Sequence, residues 1–116
     1  MARVLIVDDE PDIRFLLRLH LEVAGHEVSE AGDGAAALRL LGAFRPDLIV
    51  TDLMMPIMGG RELITRLRAN ATTASIPILQ LSSNPDPGAG ADATLNKLHM
   101  TTEAVAISER LIESSG

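Results

Sequence analysis

The chain has 116 residues, ten Lys and Arg against sixteen Asp and Glu, a formal net charge of -6 and no cysteine. That length leads us to expect one compact domain over residues 1–116 with a real core, and no second, output domain. Scattered basic residues in an acidic chain argue against a nucleic-acid partner, which needs clustered Lys and Arg, and the missing cysteines exclude disulfides, thiolate metal sites and thiol nucleophiles.

Val4 to Val7 is a short, continuous apolar run rich in β-branched residues, the pattern of a strand buried on both faces. It meets Asp8 after four apolar residues, too few for a signal peptide or a membrane span. A cytoplasmic location with no membrane partner is therefore expected. Pro11 can occupy a first helical turn, after which Ile13, Leu16, Leu17, Leu21 and Ala24 recur at helical spacing while Arg14, Arg18 and Glu22 line another face. Gly25 stops that helix.

The alternation continues with His26 to Ala31 as a strand, Ala35 to Phe44 as a helix, Leu48 to Thr51 as a second buried strand and Glu62 to Arg68 within a helix. Ile76 to Leu81 gives another strand and Ala93 to Leu95 a weak one. Thr102 to Ile112 closes the chain as an amphipathic helix with Ala104, Ile107 and Leu111 on one side. Strands and helices that alternate with short connections predict an α/β fold, a doubly wound five-stranded parallel sheet with helices on both faces. In such sheets ligands gather at the carboxyl ends of the strands, near the topological switch point.

Asp8 and Asp9 end the first strand, Asp52 the third and Ser82 the fourth, and Lys97 follows the fifth. Carboxylates brought that close repel by about 4 kcal/mol per pair at 4 Å and an effective dielectric of 20, so they require a cation or must give up charge. A hard, oxygen-preferring divalent ion such as Mg²⁺ answers that need, and Lys97 adds a positive charge. The set suits attack by a carboxylate on phosphorus, which would make Asp52 an acyl phosphate with Ser82 donating a hydroxyl to its oxygens. Any one of these acids alone reads better as a helix cap or loop acid; it is their convergence that carries the functional reading.

Other features read as structural. Met54, Met55 and Met58 look like loop packing, since thioethers prefer soft ions, and His20, His26 and His99 have no ligand spacing. Gly59 and Gly60 read as turn and helix-start backbone, not a phosphate cradle.

Val-Leu-Ile-Val-Asp-Asp-Glu-Pro at 4–11, Asp-Leu-Ile-Val-Thr-Asp-Leu-Met-Met-Pro-Ile-Met-Gly-Gly at 47–60, Ile-Pro-Ile-Leu-Gln-Leu-Ser at 76–82 and Gly-Ala-Asp-Ala-Thr-Leu-Asn-Lys at 90–97 resemble the receiver domains of response regulators. The resemblance implies a flavodoxin-like receiver fold. It implies that Asp9 and Asp52 ligate Mg²⁺ directly, that Asp8 acts largely through water, and that the backbone carbonyl of Met54 completes the protein ligands. It also implies a sensor histidine kinase or a histidine phosphotransfer protein as donor, and an unknown protein downstream.

Three departures from that pattern alter the expectation. The segment between Ser82 and Lys97 is shorter than usual by roughly two helical turns, with two Pro and two Gly from Asn84 to Asp92, so the fourth helix is expected to be missing or vestigial. Its loss should expose one flank of the Ile76 to Leu81 strand, with Gln80 marking the thinly covered side, and favour self-association or a dedicated partner there. Thr94 stands where receivers usually carry Tyr or Phe. Leu98 stands where Pro follows the Lys, so a trans bond is expected there. Apolar Met54 should slow the water that hydrolyses the phosphoryl group, giving it a long life. The rival to a phosphorylated receiver is a phosphorylation-independent pseudo-receiver that acts as a binding module. A metal-dependent phosphatase would want an acid where Met54 stands, and a flavin module would find its phosphate repelled by Asp8-Asp9-Glu10.

Overall fold

The computed structural model describes residues 2–53, 55, 58–82, 90–96 and 100–115, apart from the side chains of Met100, Thr101, Thr102 and Ser115. Five strands, β1 (Arg3–Val7), β2 (Glu27–Ala31), β3 (Leu48–Asp52), β4 (Ile78–Ser82) and β5 (Ala93–Asn96), form one sheet in the order β2-β1-β3-β4-β5. Every neighbouring pair is parallel. Between and after them run α1 (Pro11–Val23), α2 (Gly34–Leu41), α3 (Gly60–Ala69) and α4 (Met100–Ser115).

The apolar runs become strands because both of their faces are covered. Leu5, Val7, Ile49 and Ile78 pack with Leu63, Ile64 and Leu67 of α3 and Ala37 of α2, whereas Val4, Ile6, Val50, Leu79 and Leu81 pack with Leu17 and Leu21 of α1 and Ala104 of α4. Alternate residues of one strand thus feed two separate cores, as a period of two demands. At roughly 25 cal/mol per Å² of apolar surface removed from water, these two layers are the main term holding the sheet between its helices.

Local signals set the helix ends. Pro11 opens α1, and Gly25 follows it with φ +97, a left-handed geometry that costs a glycine little. Asp33 caps α2 by accepting from the Ala36 backbone N–H at 2.8 Å. That helix ends at Leu41 with Gly42 as its cap, earlier than the Phe44 expected from its apolar spacing.

The expectation of a missing or vestigial fourth helix is overturned. Four full-length helices lie among the described residues, and the fourth, α4, is whole at 16 residues. The expectation rested on Pro and Gly content after Ser82, and residues 83–89 of that stretch lie outside those described. The amphipathic pattern that does decide the matter is that of α4, whose Ala104, Val105, Ile107, Leu111 and Ile112 close the α1 side of the sheet. The predicted exposed flank is also absent: all five residues of β4 are buried, and Gln80 is 0% exposed. Self-association therefore loses the basis on which it was expected.

Candidate functional site

The strand order reverses between β1 and β3: the chain leaves β1 toward β2 on one side and returns to β3 on the other. Ligands of open α/β sheets bind at the carboxyl ends of strands at such a point. Asp8 and Asp9 follow β1 directly and Asp52 is the last residue of β3, so the predicted acids face each other across the switch.

The structure brings them together. One carboxylate oxygen from each of Asp8, Asp9, Glu10 and Asp52 lies within 4.8 Å of the others. Asp8 is 0% and Asp52 4% exposed, while Asp9 and Glu10 are exposed, so the cluster has a buried floor and an open rim. Four carboxylates at that range, half of them out of water, form a hard oxygen donor set that fits a divalent cation of the Mg²⁺ or Ca²⁺ kind.

The backbone fixes each acid. Asp8 donates its N–H to the Ala31 carbonyl at 3.1 Å, and its Oδ1 accepts from the Glu10 N–H at 2.9 Å, which folds the chain back on itself after β1. The Asp8 carbonyl accepts from the Arg14 guanidinium. At the other strand the Thr51 hydroxyl donates to the Asp52 carbonyl at 3.0 Å, and Leu53 N–H reaches the Leu81 carbonyl at 3.0 Å, tying the end of β3 to β4.

Ser82 ends β4 at 4% exposed, next to Asn96 of β5 and one residue past the partner of Asp52. The structure thus places Asp8, Asp9, Asp52 and Ser82 at the carboxyl ends of the strands, where the sequence put them. Lys97, the Met54 carbonyl and the Lys97–Leu98 bond lie outside the described residues.

Two residues escaped the sequence reading. Glu10 joins the cluster with its N–H returned to the Asp8 carboxylate, and its adjacency to two acids was a signal. Arg14 was read as one of a charged face on α1, and its bond to a backbone carbonyl has no sequence signature. It also donates to Glu30 at 3.0 Å, whose other oxygen takes Arg18 at 2.8 Å. The Arg18 hydrogen bond foremost, and that of Arg14 after it, hold the Glu30 carboxyl below its ordinary range against an opposing effect of burial.

With this geometry in place, the likeness to known proteins becomes specific. The response regulator receiver domain profile matches residues 4–104. The sensor histidine kinase TmoS of Ectopseudomonas mendocina is 48% identical over 84 residues, 72% of this chain and 8% of that protein. The transcriptional regulatory protein PrrA of Mycobacterium leprae is 40% identical over 119 residues, covering 98% of this chain and 51% of PrrA. The chain thus spans about half or less of the length of these curated relatives.

Among solved structures, the receiver domain of a signal transduction histidine kinase from Syntrophus aciditrophicus superposes with a TM-score of 0.93 at 30% identity, covering 98% of this chain and 92% of that one. The response regulator TrrA of Thermotoga maritima, in complex with Mg²⁺-BeF, gives 0.86 at 29% identity, covering 96% and 99%. The fold is that of a doubly wound signalling module. The chain belongs to the response regulator receiver family, whose members accept a phosphoryl group on an aspartate and signal through protein contacts. Among the described residues no helix is long and apolar enough to cross a membrane.

Proposed function

We propose that Asp52 is the phosphoacceptor of this receiver, that Asp8, Asp9 and Asp52 hold Mg²⁺ with the Met54 carbonyl, and that the donor is a sensor histidine kinase or a histidine phosphotransfer protein. The observation that carries the proposal is the convergence of the Asp8, Asp9, Glu10 and Asp52 carboxylate oxygens within 4.8 Å of one another. The likeness to receiver domains of histidine kinases supports the choice of donor.

A carboxylate oxygen of Asp52 forms the new bond to phosphorus as the bond from phosphorus to the donor's histidine nitrogen breaks, and that nitrogen keeps the electron pair. Asp52 sits at the floor of the cluster with its backbone held from two sides, so the nucleophile needs little reorganisation to attack. The bound cation would neutralise charge on the phosphoryl oxygens and remove the repulsion among the acids. Ser82, one strand away, donates its hydroxyl to the phosphoryl group, and Lys97 supplies a further cation. The phosphorylated domain acts in the cytoplasm on a protein partner.

The test is incubation with acetyl phosphate and Mg²⁺, read by intact-protein mass. The parent gains one phosphoryl group, and neither the Asp52→Asn variant nor the parent with excess chelator does. A parent that stays unlabelled while remaining folded makes the chain a phosphorylation-independent binding module.

A further inference from the structure

We propose that Arg14 is the positioning residue of the cation site, acting through the backbone of Asp8 and not through its charge. The inference rests on the reading of Asp8, Asp9, Glu10 and Asp52 as that site. Asp8 is wholly buried, and three of its groups are fixed: its N–H by the Ala31 carbonyl at 3.1 Å, its Oδ1 by the Glu10 N–H at 2.9 Å, and its carbonyl by the Arg14 guanidinium. The first tie leads to the end of β2, the second binds the Glu10 backbone to the Asp8 carboxylate, and the third leads to the first turn of α1. Arg14 is itself aimed by Glu30, which takes its Nε–H at 3.0 Å from the residue just before Ala31. Arg14 and Ala31 therefore grip the turn after β1 from one edge of the sheet, and that turn carries three of the four acids.

Two effects of Arg14 on cation binding have opposite signs. As a charge near the cluster it repels a cation, so its removal would tighten binding. As a clamp it holds the turn in the geometry that brings the acids together, so its removal would loosen binding. The charge is already offset by its ion pair with Glu30, whose side chain is only 27% exposed, whereas outer contacts that orient ligands typically govern about 10-fold to 100-fold in metal affinity. The clamp prevails.

Lysine separates the two effects, because an ammonium keeps the charge but lacks the fork that reaches two acceptors at once. Arg18 is the control: it carries the same charge on the same helix and binds Glu22 and Glu30.

The experiment is calorimetric titration of Mg²⁺ into the parent, Arg14→Ala, Arg14→Lys and Arg18→Ala, each checked for fold by circular dichroism. Arg14→Ala is expected to weaken binding about tenfold, Arg14→Lys to weaken it severalfold, and Arg18→Ala to stay within about twofold of the parent. Unchanged or tighter binding by Arg14→Ala, or parent-like binding by Arg14→Lys, overturns the inference while leaving the cation site intact. If Arg14→Ala fails to fold, Arg14→Lys decides. A parent that does not bind Mg²⁺ overturns the cation site itself, an outcome visible before any variant is compared.

Discussion

Gly60 lies against the backbone carbonyl of Asp52 so closely that a β-carbon on it would stand 2.0 Å from that oxygen and 2.9 Å from the α-carbon of Leu53. Gly60 N–H also donates to the Leu53 carbonyl at 2.9 Å. The first residue of α3 is thus seated on the end of β3, and only a glycine allows that approach. The start of α3 therefore packs on the residue proposed to be phosphorylated, so the position of Asp52 depends on how α3 is docked.

A methyl group at position 60 should force that contact apart. Gly60→Ala is expected to destabilise the domain by about 1 to 3 kcal/mol, the usual cost of overpacking, and to slow labelling by acetyl phosphate. Urea unfolding and a labelling time course on the same preparation check both effects.

Thr51 holds the same carbonyl through its hydroxyl at 3.0 Å and is completely buried. Thr51→Val keeps the shape and removes the donor, at a cost of about 1 kcal/mol. Because Thr51 and Gly60 meet at one oxygen, their effects should not add, and a double-mutant cycle in urea should return a coupling above about 0.5 kcal/mol.

Acids that repel in the unloaded cluster should be relieved by a cation or by neutralising one of them. Mg²⁺ at a hundredfold excess over its Kd should add about 2.7 kcal/mol of stability, roughly 10 °C in Tm for a domain of this size. Asp9→Asn should raise the Tm without Mg²⁺ and largely abolish the rise on adding it. Thermal melts followed by circular dichroism suit a chain without Trp or Tyr.

The pH dependence of Glu30 has a defined sign. Its folded-state pKa is lowered from 4.5, mainly by Arg18 and then Arg14, so its stabilising contribution is fully present above 4.5 and is lost as pH falls through the lower folded value. The stability gap between the parent and Glu30→Gln should be constant from neutral pH down to that range and then shrink on further acidification. Paired urea midpoints across that interval measure it; a gap that widened on acidification would be the wrong sign.

The strands were legible because Val4 to Val7 and Leu48 to Val50 are apolar runs that only a sheet covered on both faces can bury. Strand ends were legible because the first acid after each apolar run marks the carboxyl end of the strand, even though Asp8 and Asp52 are themselves buried there, and that placed Asp8, Asp9 and Asp52. The fourth helix was misjudged from loop composition and residue count after Ser82, whereas the amphipathic spacing of Thr102 to Ile112 does give a helix, within α4, which packs on α1 and the sheet. Glu10 and Arg14 were missed because their roles run through backbone N–H and C=O groups, which every residue possesses and no side-chain pattern records.

The central claim is that the phosphoryl group arrives on one particular acid of the four. Borohydride reduction of the acetyl phosphate-treated protein converts an esterified aspartate to homoserine, which peptide mass mapping locates. Homoserine at position 52, dependent on Mg²⁺, is the predicted result; homoserine at position 8 or 9, or at neither those nor 52, would contradict it.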